Sequence, residues 1–359
     1  MLIRFFGGSF QEGITLRAAL AGLLSFGACL LLGPRVIGWL RARRVGERVE
    51  KGDSHRLDEL MREKQGTPTM GGVFVVAALL GSVLLFGNLS NPVLGILCLL
   101  TVFLGALGAV DDFLKLTGRS RSGMRMFPKL AVQVVLAAAA GVALHRALLG
   151  TERNPDLASR IFFPFGGTLD LGAAYWLFVM AVVVSTTNAV NITDGLDGLA
   201  GGCLGISTFA YAVIAYLAGR ADFSAYLEIP HVRSSGELTV FCTAMLGATL
   251  GFLWFNGHPA QVFLGDSGSL PLGGALGLVA CAAKQEVLLL LVGGVFVIEA
   301  FSSLLQIVSY KMTGRRVFLI APLHHHYQFR GLPESKITMR FWIVAAMMAV
   351  ASLALLKLR

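Results

Sequence analysis

Stretches of about 20 apolar residues recur along the whole chain, and such a pattern can be buried only by a bundle of helices that crosses a lipid bilayer. Hydrocarbon offers no partner to backbone N–H and C=O groups, so each crossing must satisfy its own backbone as a helix. The run from Leu94 to Val110 is the clearest example. Only 14% of the 359 residues are charged and 55% are hydrophobic, against roughly 25% charged in soluble domains. The expected fold class is therefore an all-α integral membrane protein, with residues 1–359 forming one polytopic domain. Hydropathy predicts about ten spans, at roughly 16–40, 70–87, 92–110, 128–149, 174–191, 198–218, 239–256, 268–283, 287–311 and 338–357. The ninth is long and carries Glu299 and Gln306, so part of it should face protein or leave the bilayer.

The formal charge of +9 is best understood by location. Arg41, Arg43, Arg44, Arg48, Lys51, Arg56, Arg62 and Lys64 follow the first span. Lys115, Arg119, Arg121, Arg125 and Lys129 follow the third, and Lys311, Arg315, Arg316, Arg330 and Lys336 follow the ninth. Loops on the other side are poorer in Lys and Arg. The positive-inside rule then puts the basic loops in the cytoplasm and both termini outside. Lys357 and Arg359 run against that assignment. The basic residues are split among short loops, so contact with lipid headgroups is expected and nucleic acid is not. Cys29, Cys98, Cys203, Cys242 and Cys281 lie in apolar stretches without a CxxC pair and behave as small hydrophobes. The first apolar run is expected to stay as a span rather than serve as a removed leader. Residues 150–173, with Phe162-Phe163-Pro164-Phe165-Gly166-Gly167, suggest an outer hairpin or loop.

With this topology, five polar, Gly-rich segments fall on one face. They are Thr67-Pro68-Thr69-Met70-Gly71-Gly72, Asp111-Asp112, Asn188-Ala-Val-Asn191-Ile-Thr-Asp194-Gly-Leu196-Asp197-Gly198, Asn256 through Phe263-Leu-Gly265-Asp266-Ser267-Gly268-Ser269, and Pro322-Leu-His324-His325-His326. Adjacent aspartates at a membrane boundary repel and require a cation or a basic partner. Asn191, Asp194 and Asp197 are spaced to share one face of a helical turn. Gly265-Asp266-Ser267-Gly268 places a carboxylate at a helix start, where backbone N–H groups suit a metal–diphosphate group. Three successive histidines on a helix point about 100° apart, so they do not converge on one ion. His258 lies beside these segments without an evident role, and His55, His145 and His231 are expected to be structural.

Together these segments resemble the phospho-N-acetylmuramoyl-pentapeptide transferase family, within the polyprenyl-phosphate N-acetylhexosamine-1-phosphate transferases. The resemblance spans the chain from about residue 15 onward. It implies transfer of phospho-MurNAc-pentapeptide from UDP-MurNAc-pentapeptide to undecaprenyl phosphate, giving lipid I and UMP, with Mg²⁺ as cofactor. It also implies ten membrane helices, both termini outside, an active site on the cytoplasmic face of the bacterial inner membrane, and a homodimer. By the same resemblance Asp266 is the Mg²⁺ ligand, and Asp111 and Asp112 form a catalytic pair with Asp266 and His324. Asn188, Asn191, Asp194 and Asn256 line the nucleotide-sugar site. Lys64, Thr69, Leu196, Asp197 and Phe263 form a uridine pocket, His325 lies near phosphate, and Lys115 and Lys129 hold phosphate. Two other functions stay open at this stage. One is a UDP-GlcNAc-dependent sister transferase; the other is an ion-coupled transporter, which would need acids in mid-span.

Overall fold

The computed structural model describes residues 13–43, 64, 66–117 and 123–357. Arg44, Arg48, Lys51, His55, Arg56, Arg62, Arg119, Arg121 and Arg359, used above for orientation or assigned a structural part, lie outside these residues. The chain is helical almost throughout. In order, the helices are α1 (Ile14–Ala42), α2 (Gly72–Phe86), α3 (Pro92–Leu116), α4 (Met126–Thr151), α5 (Tyr175–Thr193), α6 (Leu199–Ala218), α7 (Ala221–Leu227), α8 (Ser235–Asn256), α9 (Asp266–Ala282), α10 (Leu289–Val292), α11 (Gly294–Thr313), α12 (Leu323–Phe329) and α13 (Glu334–Leu355). Between α4 and α5, β1 (Arg160–Phe162) pairs antiparallel with β2 (Thr168–Asp170), so the 150–173 segment does contain a hairpin.

Among the described residues, eight helices are long and apolar enough to cross a membrane. They correspond to eight of the predicted spans. The other two predicted spans are helices of 15 and 17 residues, α2 and α9. The predicted ninth span is divided into α10 and α11 at Gly293-Gly294. A side chain at Gly294 would collide with Met348 of α13, so the break and the close approach share one residue pair. Asn91 starts α3 by accepting from Val93 N (2.9 Å) and Leu94 N (3.3 Å), with Pro92 at the first helical position.

Helix α9 is buried along its whole length. It packs chiefly on α3 and α5, while α8 packs on α1 and α6. Small residues allow this, because apolar helices in lipid gain from close contact rather than from leaving water. A Cβ at Gly108 of α3 would run into the Asp266 backbone carbonyl, and one at Gly72 into the Gly268 backbone. The N-terminus of α9 is thereby clamped between α2 and α3.

At the opposite end of the bundle, Arg17 of α1 meets Glu237 of α8 at 2.6 Å and donates to the Phe86 carbonyl at 3.0 Å. Asn88 N donates to the same carboxylate at 2.8 Å. Arg17 is 1% exposed, and removing one member of a buried ion pair strands the other charge. Arg17→Met is expected to destabilise the protein by about 3–5 kcal/mol, read as a lower melting temperature in detergent. An unchanged melting temperature would mean that the pair contributes nothing to the bundle.

Candidate active site

Asp111 and Asp112 occupy the last turns of α3, and Asp266 is the first residue of α9. One ligand atom from each lies within 4.8 Å of the others, and all three residues are buried. Lys115, one turn after the pair, sits 2.7 Å from Asp111 Oδ2, 3.7 Å from Asp112 Oδ1 and 3.1 Å from Asp266 Oδ2. Lys129 of α4 contacts Asp266 and lies 3.4 Å from Asp111. Two ammonium groups thus face three carboxylates, leaving the ionised centre one negative charge in excess. Acids 154 residues apart in sequence can share a buried site only with such compensation.

The two adjacent aspartates have different work. Asp112 accepts from the backbone N–H of Asp266 (3.1 Å, Oδ1) and of Ser267 (3.0 Å, Oδ2). It therefore caps α9 from another helix and holds Asp266 in place. The helix-start amides that the sequence suggested for a diphosphate are taken by this carboxylate instead. Gly265 precedes them at φ +70°, and its open side is bordered by Asp112 and the Thr69 hydroxyl. Asp111 spends one oxygen on Met124 N at 2.7 Å and turns the other to the lysines.

Asn191 of α5 donates to Asp266 Oδ1 at 2.7 Å and to Ser269 Oγ at 2.8 Å. The expectation that Asn191, Asp194 and Asp197 share a helix face is corrected by the structure. Helix α5 ends at Thr193, Asp194 is its C-cap, and Gly198 at φ +73° is the N-cap of α6. Asn191 consequently serves the acid centre, whereas Asp197 serves a second cluster.

In that cluster Lys64 Nζ sits 2.6 Å from Asp197 Oδ1 and 2.5 Å from Glu334 Oε1, and 5.7 Å from the centre of the Phe263 ring. His258 Nδ1 and Ala260 N reach Asp197 Oδ2 at 2.9 and 3.1 Å. Burial pushes the Asp197 carboxyl up, but the Lys64 ammonium and these hydrogen bonds outweigh it and hold the group below the ordinary carboxylate range. Asn256 is structural in its contacts: it accepts from Gly198 N and donates to the Val262 carbonyl. Leu196, beside Asp197, is 5% exposed and packs in the core.

His324 is fully buried, with Nδ1 at 2.9 Å from Glu299 Oε2 and its backbone N–H 3.2 Å from Oε1. Its Nε2 is buried as well, unpartnered among the described residues and set against Gly195. His325 pairs with Gln328 at 2.7 Å, and His326 Nδ1 accepts from Leu319 N at 3.2 Å. The His324 and His325 rings lie against each other, 4.2 Å between centroids, whereas His326 turns away to the edge of Phe318. Asn188 donates to Gln133 Oε1 (2.7 Å) and to the Val184 carbonyl (2.8 Å). Both amide residues border a cavity of about 590 Å³, with Arg125, Lys129, Leu130 and Asn191. Its lining mixes the cationic Arg125 and Lys129 with the apolar Met126 and Leu130.

Sequence reasoning missed Glu334 and Gln133, and it had no role for His258 or Glu299. An acid after Pro333 looks like an ordinary helix start. Glu299 stood out as an acid inside an apolar run, but its partner lies 25 residues away.

The model for glycosyl transferase family 4 matches residues 94–284, and the phospho-N-acetylmuramoyl-pentapeptide-transferase signature 1 matches residues 64–76. The chain is 46% identical to the phospho-N-acetylmuramoyl-pentapeptide-transferase of Granulibacter bethesdensis over 99% of its length and 97% of the relative's. It is 43% identical to that of Pelobacter propionicus and 44% to that of Desulforapulum autotrophicum, each over 96% of this chain and 94% of the relative. The chain belongs to the phospho-N-acetylmuramoyl-pentapeptide-transferase family. The matched signature begins at Lys64 and covers Thr69, and the matched glycosyl transferase region includes Asp111, Asp112, Asn191, Asp197 and Asp266.

Asp197 is ionised through the neutral range, so its pairing should contribute full stability above about pH 4 and lose it only as pH falls through the depressed value. Melting curves of the wild type and Asp197→Asn should differ by a constant amount down to about pH 4 and converge below it. Convergence already between about pH 6 and 5 would contradict the depressed carboxyl.

Proposed function

We propose that this protein moves phospho-MurNAc-pentapeptide from UDP-MurNAc-pentapeptide to undecaprenyl phosphate, forming lipid I and UMP with Mg²⁺ at the cytoplasmic face of the bacterial inner membrane. The observation that carries this reading is the buried gathering of Asp111, Asp112 and Asp266 with Lys115 and Lys129, in a chain of this family. The donor set fits the ion: all three offer carboxylate oxygen, the ligand Mg²⁺ prefers alongside substrate phosphates. When bound, the ion would supply positive charge to the diphosphate. Asp266 and Asp111 are the residues that would hold it, because Asp112 is committed to the backbone of α9.

The reaction joins two polyanions, so lowering their repulsion is the first demand. Lys115 and Lys129 face the acid centre from α3 and α4, and Lys129 also borders the cavity of about 590 Å³. That cavity suits the acceptor phosphate, with Lys129 to meet its charge and Met126 and Leu130 to meet the lipid tail. An oxygen of the acceptor phosphate attacks the phosphorus bonded to the sugar, and the P–O bond to UMP breaks. The acceptor's second pKa is about 6, so most of it is already dianionic at neutral pH. Asp111 takes the proton of the remaining monoanion or steers the attacking oxygen. A covalent aspartyl intermediate is the less favoured route, because the Asp112 oxygens are engaged in capping and the Asp266 oxygens are held by Asn191, Lys115 and Lys129.

Lys64, Asp197 and Phe263 form the nucleoside end, and His324 lies toward the diphosphate. The transporter alternative loses its support at Glu299, which is fully buried and bonded to His324. The sister transferase differs in donor, so activity with UDP-GlcNAc and none with UDP-MurNAc-pentapeptide would favour it. A homodimer remains part of the proposal, tested by mass in detergent.

Purified protein with both substrates and Mg²⁺ should release UMP. Asp111→Asn and Asp266→Asn should lower kcat by about 10³-fold or more while keeping the wild-type melting temperature within a few degrees. Asp112→Asn should lose both turnover and several degrees of stability, because an amide replaces a capping carboxylate. Normal turnover in Asp266→Asn would overturn the assignment.

A further inference from the structure

Glu334, Thr338 and Trp342 recur at every fourth residue of α13 and so lie on one face. All three bond the backbone of the α5–α6 connection. Glu334 Oε1 accepts from Asp197 N at 2.5 Å, Thr338 Oγ1 donates to the Asp197 carbonyl at 3.1 Å, and Trp342 Nε1 donates to the Gly198 carbonyl at 3.1 Å. From the other side Asn256, His258 and Ala260 hold the same two residues. The Asp197 carboxylate is therefore fixed from two directions.

Glu334 does one thing that Thr338 and Trp342 do not. The oxygen that accepts from Asp197 N also binds Lys64 Nζ, so a single carboxylate sets both the loop and the lysine. An ammonium carries three donors. Two go to Asp197 and Glu334, and the third has no partner among the described residues. Lys64 also lies 5.7 Å from the centre of the Phe263 ring. The arrangement is a flat aromatic face, an ionised carboxylate and one donor held in fixed relation, which matches the acceptor and N–H edge of a pyrimidine stacked on Phe263. A second acidic group is needed here because Lys64, held by Asp197 alone, could swing with its long stem.

We propose that Glu334 is a positioning residue for the nucleoside end of the donor: it aims Lys64 and Asp197 at the base. This inference rests on the proposed transferase reading. Among the described residues Glu334 shares no partner with Asp111, Asp112 or Asp266, so its loss should act on nucleotide affinity and not on the transfer step.

The test uses the purified full-length protein and Glu334→Gln. KM for UDP-MurNAc-pentapeptide should rise about tenfold or more, and the inhibition constant for UMP should rise by the same factor. Both kcat and KM for undecaprenyl phosphate should stay within about twofold. Glu334→Asp, which keeps the charge on a shorter stem, should recover part of the affinity. Adding Glu334→Gln to Lys64→Met should raise KM by less than Glu334→Gln does in the wild type, because only the contact to Asp197 N is left for it to set. An unchanged nucleotide KM, a fall in kcat alone, or equal losses for both substrates would overturn the proposal. If Glu334→Gln does not fold, Glu334→Asp is the deciding variant: a raised KM for the nucleotide alone supports the role, and wild-type KM values reject it. Failure of the wild type to release UMP would instead reject the transferase reading itself.

Discussion

The Asp112 carboxylate bridging from α3 to the first two amides of α9 is the contact on which the site depends. Helix α9 is buried from end to end, so its starting amides have no water to turn to. A neutral cap from the residues just before α9 would satisfy them but would not tie its first turn to α3 by a hydrogen bond. By drawing the cap from α3, the protein makes one interaction end a helix, join two helices and set the position of Asp266. Gly108 and Gly72 make this possible, since any side chain there would push α9 away. The cost is a concentration of negative charge, offset by Lys115 and Lys129.

The same logic of shared partners separates two regions of the site. Asn191, before the end of α5, ties that helix to Asp266 and Ser269. Asp197, after the break, ties the loop to Lys64, His258 and α13. One short connection thus reaches both an acid centre suited to phosphate chemistry and a cationic–aromatic cluster suited to a nucleobase. Buried acids in each region are paired with cations of that region, which lets the regions act on different parts of one substrate.

Much of this was legible in the sequence because lipid imposes simple rules. The apolar runs marked the long helices, and the polar segments interrupting them marked the site. Asp111, Asp112 and Asp266 could be grouped once they were read onto one face. What escaped depended on side chains meeting across the bundle. Asp112 was indistinguishable from Asp111 until α9 was seen to end on it. The spacing of Asn191, Asp194 and Asp197 suggested a common face, but α5 ends at Thr193 and the chain turns at Asp194, before Asp197. Glu299 was visible as an acid inside an apolar run, but its partner His324 was not. Glu334 carried no signal at all, since an acid at a helix start has an ordinary local explanation.

The most direct test of the central claim is a kinetic cycle on Asp111→Asn, Asp266→Asn and the double variant. Groups that act as one unit show strongly non-additive losses. If both carboxylates serve a single metal–phosphate centre, the double variant should be slower than the worse single variant by no more than about tenfold. If the two losses multiply in full, the aspartates act independently, and the shared centre described here is wrong.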